Sequence, residues 1–449
     1  MRTVAPTPQT GRHVVVLHVG AMKTGTTYLQ GKAYANEDAL SAAGVDMAGR
    51  RWGEQVWGVQ ELLGMGRTDP ELAKRNAGAW DRLAEKMRTA THRVSLLTME
   101  FLAFADRRQA QHAVETLEGC DVRVVLTVRD TAAVVPALWQ TTVTSGGTTP
   151  WPRFRAAFRL ATRGRGRGAA VLSRLGASSA LRFEEAVNIA RMLDVWTSVL
   201  PPEQVHVVVV PGPDAPRDRL WRLFCEVLEI DPDVADAEGD NPNESLGYAS
   251  AELVRRVNAA IEVEHMRHQA VVKNDLGHHT LGNRRGIEER ARLDRPTLRA
   301  ALRWNDTVRR AIRRSGVVVH GDLADLPVEP LPGHSVEDRH VTPSDDEILE
   351  AAAAGLARLV RLTRRRTKRL MRPARAREFR QALADQVVGA EGWADAEDPV
   401  GAAVADLVVY SRGLIELRDV RDRRKRQEQR EARRRRREAK KSASSRRVE

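Results

Sequence analysis

The sequence predicts an α/β fold in which helices cover both faces of a doubly wound parallel sheet. The first observation is a series of short apolar runs, rich in β-branched residues, at 14–19, 94–98, 122–128 and 205–210. Such runs are typical of parallel strands that are buried on both faces. The second observation is that helical periodicity alternates with these runs, at 71–88, 107–117, 131–143 and 218–228. Alternating strands and helices predict parallel βαβ units.

The chain continues well beyond this predicted sheet. Its 449 residues have room for more than one domain, and a hydrophobic fraction of 42% supplies a sizeable core. We expect an α/β domain at 1–330, a linker at 331–344, a C-terminal helical extension at 345–417 and a basic tail at 418–449. The tail has no apolar stripe, so we expect it to be disordered or to form a solvated helix.

The formal net charge of +13 is concentrated at the C-terminus. Residues 421–449 contain 15 Lys or Arg and 5 Asp or Glu, a net charge of +10, which leaves +3 for the preceding 420 residues. The body is therefore only weakly basic. The segment 421–449 is either a solvated charge run or a contact for polyanions.

Cysteine content and hydropathy indicate the compartment. Cys120 and Cys225 are the only cysteines, which argues against a disulfide framework, although the sequence leaves one bridge open. No apolar stretch of secretory-signal length precedes the first strand, and no run approaches the ~18 apolar residues of a membrane helix. We expect a soluble, cytoplasmic protein.

The segment after the first strand predicts an anion site. Gly20 and Gly25 bracket a four-residue loop, and Thr26 and Thr27 then lead into a helix. The N-terminus of a helix presents unpaired N–H groups, and glycine lets the backbone approach an anion closely. The loop therefore predicts phosphate or sulfate binding. The alternative is a glycine turn without a ligand.

The position of the lysine distinguishes between anions. The P-loop of ATPases and GTPases requires a lysine directly after the second glycine. Here Thr26 occupies that position, and the cation is Lys23, inside the loop. We expect Lys23 to lie over one phosphate group rather than to reach along a triphosphate.

The run Lys23-Thr24-Gly25-Thr26-Thr27 resembles the 5′-phosphosulfate loop of sulfotransferases that use 3′-phosphoadenosine 5′-phosphosulfate (PAPS). The usual form of that loop is Pro-Lys-Ser/Thr-Gly-Thr-Thr, and Met22 replaces the proline. The resemblance implies a sheet of the P-loop, nucleotide-kinase type, PAPS as the donor, 3′-phosphoadenosine 5′-phosphate (PAP) as the product, and no metal. It also implies that Lys23 stabilises the departing phosphate. The residues that would bind this phosphate are Lys23, Thr24, Gly25, Thr26 and Thr27.

A carboxylate follows the second predicted strand. Thr98-Met99-Glu100 ends that strand, and the carboxyl ends of strands are where open α/β sheets bind ligands. The segment resembles the strand-end glutamate of glycosaminoglycan-type sulfotransferases. That resemblance implies that Glu100 is the catalytic base that takes the proton of the acceptor. The alternative is an exposed acid without a catalytic role.

An arginine follows the third predicted strand. Val128-Arg129-Asp130 resembles the 3′-phosphate segment of the same family, Arg-Asp/Asn-Pro, which implies that Arg129 binds the 3′-phosphate. Thr131 replaces the proline, and Ala137 stands where the family has a serine. The nearest match to the family's C-terminal Arg-Lys-Gly loop is at 283–286.

Histidines give weaker indications. Those at 265, 268, 278 and 279 have no companion Cys or carboxylate pattern, so we expect solvated residues rather than metal ligands. His18 lies inside the first predicted strand, and we expect it to be buried.

The resemblance thus implies sulfuryl transfer from PAPS to a hydroxyl or amine of a carbohydrate or small metabolite. Two alternatives remain. One is a nucleotide kinase or NTPase of related fold, which the missing P-loop lysine disfavours. The other is a catalytically impaired nucleotide-binding scaffold whose basic tail binds a polyanion.

Overall fold

The computed structural model describes residues 12–49, 51–163, 187–239, 246–284, 286–331, 336–337 and 342–445. The strands are β1 Val14–His18, β2 Val45–Met47, β3 Val94–Thr98, β4 Asp121–Val128, β5 Val205–Val209, β6 Leu293–Asp294, β7 Val318–His320 and β8 Val336–Glu337. Six of them form one parallel sheet in the order β2-β3-β1-β4-β5-β7, and β6 and β8 form a separate parallel pair. The predicted α/β class with a parallel sheet is confirmed.

Helices fill most of the remaining described chain. The first eight are α1 Thr26–Ala35, α2 Glu37–Ala42, α3 Trp52–Leu62, α4 Pro70–Asn76, α5 Ala79–Arg88, α6 Arg107–Glu115, α7 Thr131–Thr144 and α8 Trp151–Ala161. They are followed by α9 Ile189–Trp196, α10 Arg219–Leu228, α11 Tyr248–Ala260, α12 His265–His268, α13 Arg295–Ser315, α14 Asp345–Leu370, α15 Pro373–Ala384 and α16 Pro399–Ser445. A π-helical segment, Gln269–His278, continues from α12.

The centre of the sheet is a topological switch point. β1 lies between β3 and β4, with Val14 opposite Val94 on one side and Asp121 on the other. The chain passes from β1 to β2 and β3 on one side before it crosses to β4 on the other. In open α/β sheets, ligands bind outside the carboxyl ends of the strands at such a point.

The sheet is covered on both faces. Alternate side chains of a strand point to opposite faces, so Val15 and Leu17 join one buried cluster with Trp196 of α9. Val16 joins a second cluster with Phe224 of α10. Burial of each such side chain stabilises the fold by about 1.5–3 kcal/mol. Helices on both faces are compatible with the predicted doubly wound arrangement.

Four short strands, β2, β6, β7 and β8, lie outside the four apolar runs that predicted the sheet. β2 is an edge strand of three residues in which Val45 pairs with Val94 of β3. Three residues are too few to show a period of two, and β2 is defined by its pairing with a strand far away in the sequence. The sequence therefore did not predict it.

The chain forms two compact units whose boundaries differ from the predicted ones. The first comprises Met1–Trp139, Trp151–Asn243 and Arg292–His340, and it contains the sheet. The second comprises Gln140–Pro150, Glu244–Ala291 and Val341–Glu449. The predicted boundary near 330 separates α11 from the C-terminal helices, whereas α11 packs against α14 and α16. Composition along the chain does not reveal this packing, because the apolar stripes that meet lie far apart in sequence.

The second unit is built on α14 and α16. Leu407, Leu414 and Leu417 of α16 are buried, and the helix continues without a break through residue 418 to Ser445. Residue 418 is therefore not an element boundary. Of the two expectations for the tail, disorder or helix, the structure has a helix as far as Ser445.

Both cysteines are free thiols, so no disulfide joins Cys120 to Cys225. Burial raises the pKa of the Cys225 thiol to about 12. None of the helices in the described ranges combines the length and the apolar character that crossing a bilayer requires.

Candidate functional site

The loop between β1 and α1 has three residues in the left-handed backbone region. Gly20, Lys23 and Gly25 have φ values of 72°, 65° and 90°. This conformation costs a non-glycine residue such as Lys23 about 1–2 kcal/mol, and such strain clusters at ligand sites. α1 begins at Thr26, directly after Gly25. The first N–H groups of α1 therefore lie at the end of this loop.

Close packing requires both glycines of the loop. A Cβ on Gly20 would lie 3.0 Å from Cγ2 of Thr26 and 3.3 Å from Cβ of Glu100. A Cβ on Gly25 would lie 2.5 Å from Cδ2 of Leu220, which is closer than carbon atoms approach. The loop therefore lies directly against the segment that follows β3.

Thr24 fixes the loop to the neighbouring strand. It is 2% exposed, and its hydroxyl donates a hydrogen bond to the carbonyl of Ala21. Since its one hydrogen is used there, the hydroxyl accepts from the Thr127 hydroxyl of β4 at 2.6 Å. The hydroxyl of Thr24 thus positions the loop within the protein.

Thr26 and Glu100 join the loop to the end of β3. The Thr26 hydroxyl donates a hydrogen bond to Oε2 of Glu100 at 2.6 Å. Glu100 is the first residue of a short 3₁₀ helix, Glu100–Phe104, and is only half-buried. A hydrogen bond to an ionised acceptor is about twice as strong as one between neutral groups. The contact therefore holds the Glu100 carboxylate against the first residue of α1.

A hydrogen-bond network fixes the end of β3 two residues before Glu100. The N–H of Thr98 donates to Oε1 of Gln55, and its carbonyl accepts from Nε2 of Gln30. The Thr98 hydroxyl contacts Nδ1 of His18 at 2.8 Å. Gln55 is fully buried, and sequence reasoning missed it because a glutamine on an amphipathic helix looks like a surface residue.

His18 is buried at the end of β1, as the sequence predicted. It is 1% exposed and packs against Phe224, with ring centroids 5.1 Å apart. Desolvation lowers its pKa to about 3, so the imidazole is neutral at physiological pH. Within the described chain its Nε2 atom has no hydrogen-bond partner. A buried, neutral imidazole supports the strand and is not placed to exchange protons with solvent.

Arg129 follows β4 and is exposed at the same edge of the sheet. The next residue, Asp130, accepts a hydrogen bond from the N–H of Ala132 at the start of α7. Asn305 of α13 donates to Asp130 at 2.8 Å and accepts from the N–H of Thr131 at 3.0 Å. Asn305 is 1% exposed. These two hydrogen bonds with a buried side chain fix the turn on which Arg129 lies. The sequence context of Asn305 gave no signal of this role.

The predicted site residues therefore lie at one edge of the sheet. The loop follows β1, Glu100 follows β3 and Arg129 follows β4, and β1 is the strand between the other two. Direct packing joins Gly20, Thr26 and Glu100. Lys23 and Thr27 are half-buried. The arrangement combines cations and helix N–H groups, which suit an anion, with a carboxylate that can accept a proton.

The remaining candidates have partners of their own in the second unit. At 283–286, Arg284 forms ion pairs with Glu288 at 2.7 Å and Glu350 at 3.3 Å within the second unit, and position 285 lies outside the described residues. His268 is buried rather than solvated, and its Nε2 contacts Oδ1 of Asn258 at 2.7 Å. The expectation of solvated histidines was therefore wrong for His268. In the described part of the chain, no group of three or more His, Cys, Asp or Glu side chains is placed to hold a metal ion.

No protein-family model, curated protein or solved structure matches this chain. The geometry of the site is therefore what indicates the function.

Proposed function

We propose that this protein is a sulfotransferase that moves a sulfuryl group from PAPS to a hydroxyl or amine acceptor. The observation that carries the proposal is the 2.6 Å contact between Thr26 and Glu100. It places a carboxylate directly beside an anion loop whose one lysine is inside the loop. Sulfuryl transfer needs that combination, namely a phosphate cradle, a cation for the leaving oxygen and a base for the acceptor.

Each residue has a distinct role in the proposed reaction. Lys23 stabilises charge on the 5′-phosphate as the bond between its bridging oxygen and sulfur breaks. The backbone N–H groups and hydroxyls of Gly25, Thr26 and Thr27 bind that phosphate. Glu100 accepts the proton of the acceptor as the new bond from its oxygen or nitrogen to sulfur forms, and PAP leaves.

Arg129 is assigned to recognition of the donor. Its guanidinium is exposed at the end of β4, and its planar set of donors suits a phosphate. The donor carries a second phosphate on its 3′ oxygen. Arg129 therefore distinguishes PAPS from ATP in this proposal. A sheet of the P-loop, nucleotide-kinase type belongs to the same proposal.

A nucleotide kinase or NTPase is the second candidate. The observation in favour of this candidate is the threonine hydroxyl beside a carboxylate, because both groups are suitable ligands for Mg²⁺. Two features count against it. Thr26 occupies the position of the P-loop lysine, and Lys23 lies within the loop. A scaffold that binds a nucleotide without turnover is the third candidate.

Thermal-shift titration with PAP, ATP and GTP, each with and without magnesium, tests these candidates. The sulfotransferase is expected to be stabilised selectively by PAP without magnesium, by about 2.7 kcal/mol at a concentration 100 times the Kd. Magnesium-dependent stabilisation by ATP would instead support the kinase or NTPase. Transfer of label from PAPS to an acceptor then separates the enzyme from the scaffold.

A further inference from the structure

The second unit contains a groove lined by positive side chains. The end of α14 and the adjoining part of α16 enclose a cavity of about 460 Å³. Its cationic lining consists of Arg366, Arg369, Arg418, Arg421, Arg424 and Lys425. Leu370 and Leu417 form its apolar part, and Glu428 is the one acidic residue among the described residues that line it. We call this feature the basic groove.

The groove forms because one face of α16 changes character where α14 ends. Leu414 and Leu417 belong to the buried face of α16, and α14 ends at Leu370. Residues 3, 4 and 7 positions further along a helix lie on the same face. Counted from Leu417, these positions hold Val420, Arg421 and Arg424, so arginine replaces leucine at two of the three. The apolar seam between the helices therefore becomes a basic surface.

Intramolecular ion pairs neutralise only part of this charge. Arg366 contacts Asp275 at 2.8 Å, Arg421 contacts Asp422 at 2.9 Å and Arg424 contacts Glu428 at 3.1 Å. Over the described ranges, Arg369 and Lys425 form no ion pair. Cations held this close repel one another, so binding of an external anion is favoured.

We propose that the basic groove binds the phosphate backbone of double-stranded nucleic acid. The groove opens onto the part of α16 whose sequence, from 421 to 441, has 13 Lys or Arg and 4 Asp or Glu. A helix rises about 1.5 Å per residue, so this part of α16 is about 30 Å long. Duplex nucleic acid carries one negative charge per ~1.7 Å of its axis, so it presents a dense line of phosphates to such a cationic surface.

The lining also defines how the nucleic acid is recognised. Among the described residues that line the groove there is no aromatic, Asn or Gln side chain, so these residues offer no group for stacking on bases and no amide for reading their edges. Binding is therefore independent of base sequence. Insertion into a lipid surface needs an apolar stripe, which residues 418–432 of α16 lack.

Fluorescence anisotropy of a labelled duplex of about 20 base pairs tests the proposal with the full chain. The double variant Arg369→Gln, Lys425→Gln removes two groove cations and leaves no carboxylate unpaired. The matched control, Arg107→Gln with Arg108→Gln, removes the same charge from exposed positions on α6. An unchanged Tm shows that each variant is folded.

The groove variant is expected to lose about 10- to 30-fold in affinity near 0.15 M salt, and its salt slope is expected to fall by about 2. The control variant is expected to have the duplex affinity and the salt slope of the wild type. Equal losses in the two variants would show that net charge alone binds the duplex, which overturns the proposal. So would preferential binding to heparin or to vesicles of acidic lipid. This test is independent of the proposed transferase activity.

Discussion

The edge of the sheet and the basic groove both collect positive groups, but they do so in different ways. At the sheet edge, Lys23 and Arg129 lie on turns whose backbone is fixed by buried hydrogen bonds that Thr24 and Asn305 make. The groove has six cations on the sides of two helices, and their number rather than their exact placement defines it.

This difference shows how charge produces two kinds of recognition. A cation on a fixed turn beside helix N–H groups selects a single phosphate of defined position. Cations repeated along a helix bind any chain of phosphates, and counterion release makes that binding depend strongly on salt. The two regions should therefore respond differently to substitution and to pH.

The largest expected effect is on the proposed base. Glu100→Gln keeps the size of the side chain and removes the charge that accepts a proton, so turnover is expected to fall by about 10²- to 10⁴-fold. Stabilisation by PAP should stay within a few-fold of wild type. The measurement is transfer of label from PAPS, with Glu118→Gln, an exposed residue in the turn after α6, as the control. Turnover at the wild-type level would falsify the assignment of Glu100.

The second-largest expected effect is the loss of folding stability when Gly25 of the loop is substituted. Gly25→Ala places a methyl group against Leu220 at a φ of 90°, and we expect the free energy of unfolding to fall by about 2–4 kcal/mol. Gly119→Ala is a matched control, because Gly119 has the same φ and no atom within 4 Å of the added Cβ. Urea unfolding should show a clearly larger loss of unfolding free energy for Gly25→Ala than for Gly119→Ala. Equal losses would mean that the Leu220 side chain moves to make room for the methyl group.

Asn305 tests whether buried hydrogen bonds hold the turn of Arg129. Asn305→Ala leaves the Thr131 N–H and the Asp130 carboxylate without their partner, and we expect a loss of about 1–3 kcal/mol in unfolding free energy. PAP binding should weaken as well, whereas duplex binding by the groove should not. Thr307→Ala, elsewhere on α13, is the control. Unchanged PAP affinity in a destabilised Asn305 variant would argue that Arg129 does not depend on this turn.

The smallest expected effect is the change in folding stability per pH unit that two buried histidines cause. The basic groove has no such dependence on pH. Burial lowers the pKa of both His18 and His206 to about 3, so the unfolded chain binds protons below pH 6.5 that the folded chain does not. Stability is therefore full above pH 6.5 and falls as the pH drops below it, by at most about 1.4 kcal/mol per pH unit for each histidine.

Urea unfolding between about pH 6.5 and 5 measures this slope, since carboxylates stay mostly ionised there. His206→Gln should remove about half of it, and His112→Gln, at an exposed position, should leave it unchanged. Duplex affinity should change little over this range, because arginine and lysine stay charged. A slope unaffected by His206→Gln would show that this histidine is protonated in the folded state.

Much of the fold was accessible from sequence because it depends on local pattern. The apolar runs of β1, β3, β4 and β5 were long enough to show strand character, and the parallel sheet followed from their alternation with helices. β2 was missed because three residues carry no period. The two-unit division was missed because α11 joins helices that follow it by more than eighty residues.

The sequence by itself determined which chemical groups the candidate site has and which edge of the sheet they occupy. The glycine spacing, the internal position of Lys23 and the strand-end residues Glu100 and Arg129 are all local features of the chain. The tertiary structure alone decided which groups touch. Thr26 and Glu100 are 74 residues apart, and Asn305 reaches back 174 residues to Thr131. Such contacts depend on how strands and helices pack in three dimensions, and no short-range pattern of residues encodes them.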